Sequence, residues 1–469
     1  MNSIISRLCF LIAVGMLFLP RPAGAQNSAT TLTLQTLLNG MQSNYEFLKY
    51  QKSLVDEKQA HNKTVAFERL PNLKTAYEIN VGSDNSIPGS YYTYGLIPTV
   101  NGGTRIAENL NPEAGSIAVA GLEWEAVNFG GYKSRLDVAR SELDVQKNAY
   151  GKSENDLFGI ASYLYLELLQ QYQLTVIQQD NVSRLEQLKR SIDALVVSGV
   201  RPGVDSTVAS AELSKSKIIL LQARKDFVQL QQKLANLSGI TADLIIPDTS
   251  SAGKLTVEGL AWTLTSPVDT AHHPTINFYN SLYRLSQFKY KADKNSYYPK
   301  IMLNASVWSR ASSVSYNDKY DAGMVSGFVP SRWNYLTAIS LSYDIFNIAR
   351  KRLKMGEDKY ETEASLHRLN DEKGKLQSVI SEMNTEKDFQ INRLNETQRQ
   401  LNAASAAYLQ QVSLYQSGLS SFLDVSTTLN YYIQARRDFV NSRVGVMHSV
   451  IDYALATNSF NSLLQTLKF

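Results

Sequence analysis

The chain has 469 residues with 25 Gly, 12 Pro and 19% charged side chains, enough for two or three ordinary domains and too ordinary to name a function. Its formal charge is +4, and without Arg7 and Arg21 the basic count falls from 47 to 45 against 43 acids, leaving +2, so charge gives no case for nucleic-acid binding. The single cysteine, Cys9, excludes a disulfide framework.

In residues 1–25, Arg7 precedes an apolar run from Leu8 to Leu19, then Pro20 and the small-x-small site Ala23-Gly24-Ala25. This reads as a cleaved secretory signal, too short to span a bilayer, and Cys9 sits too early in it for a lipid anchor. Residues 32–70 read as one helix, with Leu34, Leu37, Leu38, Met41, Tyr45 and Leu48 at helical spacing, stopped by Pro71. Strict alternation follows over 72–81, then a Gly/Pro/Ser/Tyr loop over 82–115. A second strand is expected over 116–128, with Ala118, Ala120, Leu122 and Trp124 on one face. Phe129-Gly130-Gly131 then leads into a Pro-free helix of about 67 residues, roughly 100 Å long.

That helix runs into Ser198-Gly199-Val200, and a returning helix departs near Asp205. Leu213, Leu220, Phe227 and Leu234 stand seven apart on it, with Ala223, Leu230 and Leu237 at the other seam position, which is a left-handed coiled-coil pattern. Residues 241–273 read as a connector. The order of elements then starts again: a helix over 275–298, Pro299, a strand over 300–310, a loop over 311–334 carrying Tyr316, Tyr320 and Trp333, and a strand over 335–345. A helix of about 70 residues reaches Ser417-Gly418-Leu419, and a last helix begins near Asp424. Its seam carries Val425, Tyr432, Phe439, Val446 and Tyr453, with small residues at 428, 435, 442, 449 and 456.

In each copy Gly suits the left-handed residue past a helix end, and the Asp can cap the returning helix. Pro71 to Pro299 is 228 residues, Phe129 to Phe346 is 217, Gly199 to Gly418 is 219, and Ala223-Arg224-Lys225-Asp226-Phe227-Val228 to Ala435-Arg436-Arg437-Asp438-Phe439-Val440 is 212. The drop of seven from 219 to 212 keeps a coiled-coil seam in phase, so the chain is internally duplicated. The fold class expected is mainly α with β: duplicated long coiled-coil hairpins plus four antiparallel strands of membrane-spanning length. Four strands cannot close a barrel, and open edges cannot sit in lipid, so either the strands are not membrane strands or chains must combine, two giving eight strands or three giving twelve.

The junctions at Pro71 and Pro299, Asn128-Phe129-Gly130-Gly131 with Ile345-Phe346-Asn347, and the paired tips Ser198-Gly199-Val200…Val204-Asp205 and Tyr415-Gln416-Ser417-Gly418-Leu419…Leu423-Asp424-Val425 resemble the TolC-like outer membrane efflux protein family. The resemblance covers nearly the whole chain beyond the signal. It implies a first repeat over 26–240 (β-hairpin 72–128, tip near 199–205), a connector at 241–273 and a second repeat over 274–469 (β-hairpin 300–346, tip near 418–424). It further implies a homotrimer in outer-membrane lipid, a twelve-stranded barrel on a helical tunnel, opened by a periplasmic adaptor and energised by an inner-membrane pump of RND or ABC type. On matching positions it implies a gate constriction at Asp205 and Asp424 with Tyr415 as a hydrogen-bonding group, and adaptor-docking turns at Gly199, Val200, Gly418 and Leu419. The chain departs from the family where a second Asp is replaced by Thr427 and a basic residue by Ser420.

Plainer roles stand beside these: Asp205 and Asp424 as N-caps, Gly199 and Gly418 as turn formers, Tyr415 as a packing aromatic. His272-His273 and the eight Met show no metal spacing, and no nucleophile elbow, phosphate loop or zinc signature occurs, so neither enzyme activity, metal nor cofactor is expected. A non-channel coiled-coil adaptor or scaffold is the alternative, against which the alternation over 335–345 and the duplicated tips both speak.

Overall fold

The computed structural model describes residues 31–85, 107–266, 268–315 and 319–467; the signal segment, most of the first hairpin loop and Tyr316 lie outside these. The chain divides into two compact units, one holding residues 1–50, 152–274 and 374–469 and the other 51–151 and 275–373. Each unit takes segments from both halves of the sequence.

The second unit is built on an antiparallel sheet of β1 (Asn72–Gly82), β2 (Glu113–Val127), β3 (Lys300–Ser312) and β6 (Arg332–Ser342), in that spatial order. The register puts Leu73, Leu122, Ala305 and Thr337 in one row and Thr75, Ala120, Val307 and Tyr335 in the next. One face therefore carries Leu73, Tyr77, Ile79, Leu122, Trp124, Leu303, Val307, Tyr335, Ile339 and Leu341. The opposite face carries Asn72, Lys74, Glu78, Glu123, Asn304, Arg310 and Arg332, with Lys74 and Glu123 3.3 Å apart. The apolar face is open: Tyr335 is 82% exposed and Ile339 77%. Among the described residues β1 and β6 have a strand on one side only.

Two strand limits differ from expectation. β2 begins at Glu113 because β1 continues to Gly82 and the two pair there. β6 spans Arg332–Ser342, three residues earlier than expected, because Arg332 and Trp333 pair with Arg310 and Ser309 of the long β3. Asp344 ends it by accepting from the Phe346 amide at 3.1 Å. Trp333 is thus a strand residue. The expected loop after β3 also holds the short strands β4 (Val314–Ser315) and β5 (Lys319–Tyr320) and a helix, α7 (Val325–Phe328). There Gly327 packs so closely on β2 that a Cβ would lie 2.2 Å from the Ala114 carbonyl oxygen.

The helices are α1 (Leu34–Asn44), α2 (Glu46–Phe67), α3 (Gly131–Val197), α4 (Gly203–Ser238), α5 (Ser251–Thr265), α6 (Pro274–Ser296), α8 (Asn347–Gln416), α9 (Phe422–Ala456) and α10 (Phe460–Leu467). The expected single helix over 32–70 is two. Tyr45 takes an extended conformation (φ −71, ψ 118) and its carbonyl starts α2, while the Asn44 side chain is held by the Ser238 carbonyl at 2.9 Å. The connector contains α5, whose Leu255 and Trp262 are buried, with contacts to α9 and α10. The last helix runs to Ala456, the final seam position read from the sequence, and Thr457 and the left-handed Asn458 (φ 58) separate it from α10. The turn into α3 uses two consecutive left-handed residues, Phe129 (φ 47) and Gly130 (φ 93).

In the first unit α3, α4, α8 and α9 share one apolar cluster: Ile177, Leu185, Ile192, Ala209, Tyr408, Tyr415, Phe422, Val425, Leu429, Ile433 and Val440. Of the heptad positions read from α9, Val425, Ala435, Ser442, Val446, Ser449, Tyr453 and Ala456 are buried, while Thr428, Tyr432 and Phe439 are half-buried. Small residues at alternate layers let neighbouring backbones approach while the large ones fill the gaps. Leu429→Ala, in the middle of this cluster and 3% exposed, is expected to destabilise the helical unit by about 2–5 kcal/mol in denaturant titrations followed by helical circular dichroism.

Candidate functional site: the paired helical tips

Both helical hairpins turn by the same device. Gly199 (φ 76) and Gly418 (φ 82) are left-handed. The Val200 amide donates to the Leu195 carbonyl at 3.0 Å and that of Gly199 to Val196 at 3.0 Å; Leu419 donates to Leu414 at 2.9 Å and Gly418 to Tyr415 at 3.0 Å. This 6→1 and 5→2 pairing satisfies carbonyls that a helix end otherwise leaves orphaned, and it needs a residue without a Cβ at the left-handed position.

The returning helices start differently. Ser421 is the N-cap of α9 and forms a capping box: the Asp424 amide donates to Ser421 Oγ at 3.3 Å, and the Ser421 amide donates to Asp424 Oδ2 at 3.0 Å. Ser421 Oγ also donates to that oxygen, at 2.7 Å. These hydrogen bonds hold the Asp424 carboxyl below its ordinary range. Asp205 makes no such cap, contrary to expectation. The N-cap of α4 is Pro202, which has no side-chain acceptor and no N–H for a carboxylate three residues on to receive. Asp205 is left half-buried in the first turn of α4, and no hydrogen bond or ion pair joins it to Asp424 among the described residues.

Tyr415 is 2% exposed, inside the apolar cluster and edge-on to Phe422 at 6.3 Å. Its hydroxyl is enclosed and has no hydrogen-bond partner. Burial and the nearby Asp205 charge raise its pKa, against an opposing effect of Arg201. Arg201 is the residue that sequence reasoning passed over. Its guanidinium lies 4.7 Å from the Tyr415 ring centroid, and Nη2 donates to the Tyr415 carbonyl at 3.0 Å and the Ser420 carbonyl at 3.3 Å. A cation over an aromatic face contributes roughly 0.5–2 kcal/mol depending on desolvation. Arg201 thus ties the first tip to the second. Below the first turn, Asp193 accepts from Ser206 Oγ at 2.7 Å and pairs with Lys189 at 2.5 Å; these two partners, Lys189 foremost, lower its pKa.

Among the described residues no three His, Cys, Asp or Glu groups converge as a metal cage would require, and no helix is long and apolar enough to cross a membrane. The site is a mechanical joint of turns, caps and one cation. Residues 96–240 match the family described as outer membrane efflux protein. Three solved structures extend the likeness beyond that stretch. VceC from Vibrio cholerae superposes with a TM-score of 0.69 at 15% identity, over 91% of this chain and 96% of that one. The CmeC outer-membrane channel of Campylobacter jejuni gives 0.70 at 12%, over 91% and 86%, and CusC gives 0.70 at 13%, over 94% and 95%.

The chain has the TolC-like fold of outer-membrane efflux channels. No curated protein sequence matches it. In this TolC-like chain, the long helices and the four-stranded sheet are the elements that the likeness covers.

The capping box sets an acid response. Asp424 has a folded pKa below its ordinary 3.8, so the stabilisation of the α9 start is complete above that value and is lost as pH falls through the depressed folded value. Amide exchange at residues 422–425 is therefore expected to hold steady from neutral pH down to ordinary carboxylate range, after correction for intrinsic rates, and to quicken below it. Ser421→Ala should quicken it about five-fold at neutral pH, the equivalent of a lost N-cap.

Proposed function

We propose that the chain is the outer-membrane component of a tripartite efflux or type I secretion system, a passive exit duct. An adaptor in the periplasm opens it, and an inner-membrane pump of RND or ABC type supplies the energy. It is exported by the cleaved signal, lodges in the outer membrane without a lipid anchor and acts as a homotrimer. The observation that carries this reading is the sheet, with one apolar face, one polar face and two open edges. Unpaired backbone groups cost several kcal/mol each in a bilayer core, so only a closed barrel can place this sheet there. Three copies supply twelve strands, an even number inside the range of bacterial barrels, with the apolar face toward lipid and the polar face toward the pore. The family match over 96–240 and the likeness to channel structures support the same reading.

Within it, the tips are the gate. Asp205 and Asp424 supply charge at the constriction, and Tyr415 is the group whose enclosed hydroxyl gains a partner only when the tip rearranges. The adaptor docks on the turns at Gly199–Val200 and Gly418–Leu419, where Val200 and Leu419 hold apolar side chains in water, 66% and 77% exposed. Arg201 fastens the two turns of one chain together in the closed state.

Two measurements test this. The protein is expected to stay in the membrane fraction through a salt wash and to run as a trimer in mild detergent; release without detergent, or a detergent-solubilised monomer, overturns the duct. In planar bilayers, Asp424→Ala is expected to change single-channel conductance or its sensitivity to divalent cations, and Arg201→Ala to raise the open fraction. Traces identical to the native protein would remove the tips from the gate.

A further inference from the structure

Away from the tips, α3, α8 and α9 of the first unit enclose a cleft of about 370 Å³ whose lining includes Tyr172, Ile177, Leu401, Phe439, Arg436 and Arg443. The two arginines stand seven residues apart on α9, two turns of one helix face and about 10 Å along its axis. Arg436 donates Nη2 to Asp180 Oδ2 at 3.1 Å and lies 5.8 Å from the Tyr432 ring centroid, yet its Nη1 is enclosed without a hydrogen-bond partner. Arg443 is half-buried, and among the described residues no carboxylate offsets its burial, which lowers its pKa. Guanidinium does not give up its proton in proteins, so both groups stay charged.

A charge held partly out of water without a counter-ion is costly, and the planar fork of donors matches a carboxylate, sulfonate or phosphate. The rest of the wall is mainly apolar, supplied by Tyr172, Ile177, Leu401 and Phe439 with Val176 and Val440 beside them, and Gln173 and Thr249 are its polar members. We propose that this cleft binds an amphiphilic organic anion, its head on Arg443, the cation without a counter-ion, and its hydrocarbon or aromatic body against Ile177, Leu401 and Phe439. The site does not depend on the duct reading, because it is complete within one chain.

The test uses the purified full-length protein in amphipol, with phenylbutyrate as probe, phenylbutanol as its uncharged counterpart and inorganic phosphate as a bare anion, followed by titration calorimetry. Phenylbutyrate is expected to bind the native protein at least about ten-fold more tightly than either of the other two. Arg443→Met, which keeps the apolar stem, should abolish that preference, and Arg437→Met, on the exposed side of the same helix, should leave it intact. Equal binding of acid and alcohol, phosphate binding as tight as phenylbutyrate, or no effect of Arg443→Met each overturns the proposal. So does a native protein that ignores phenylbutyrate while Arg443→Met breaks up its oligomer, since the counter-ion would then be a carboxylate of another copy.

Discussion

The constraint on which the proposed duct rests is a set of backbone groups that one copy of the sheet cannot pair. A four-stranded sheet leaves N–H and C=O groups along β1 and β6 facing outward, and its apolar face is too exposed to be stable in water. Water would satisfy the edges but not the face; lipid would satisfy the face but not the edges. In the proposed duct further strands resolve both, and the sheet's own alternation fits one side to hydrocarbon and the other to solvent. The short Gly327 segment folded against Ala114 shows how closely the loop after β3 is fitted to that sheet.

The helical unit answers a different demand. Helices as long as α3 and α8 gain little from local propensity and must be held by side-by-side packing. The cluster running from Ile177 through Tyr408 to Val440 supplies it, with Tyr408 and Tyr432 stacked at 5.6 Å and small residues on α9 opposite large ones. Tyr415 is the end of that same cluster, so the gate candidate is also a core residue. Rearranging the tip therefore disturbs packing as well as the Arg201 contacts.

Much of this is legible in the order of residues. The 67-residue α3 follows from a Pro-free stretch framed by glycines at both ends, and the strand faces follow from alternation alone. Gly199 and Gly418 could be read from local turn chemistry, whereas the N-cap of α9 is Ser421 and the Asp424 expected there closes the capping box from three residues on. What could not be read depends on distant partners. The break at Tyr45 goes with an Asn44 contact to Ser238, 194 residues away. Helix α5 hides in Ser, Thr and Gly because its case is made by burying Leu255 and Trp262 rather than by its own composition. Arg201 looks like an ordinary loop base until its partner 214 residues further on is in place. Pro202 displaced the expected cap because residue type at the N-cap outranks the Asp three positions later.

The two joints share one kind of turn, and a single ring of atoms makes them unequal. One is fastened by a seryl–aspartyl clasp at its N-cap; the other, begun by an imino acid, lacks that clasp and is braced a turn further in by the Asp193 contacts to Ser206 and Lys189. Strong acid would consequently reach both legs through different carboxylates, a helix cap in one and a brace between two helices in the other, a chemical difference that perfect repeats would lack.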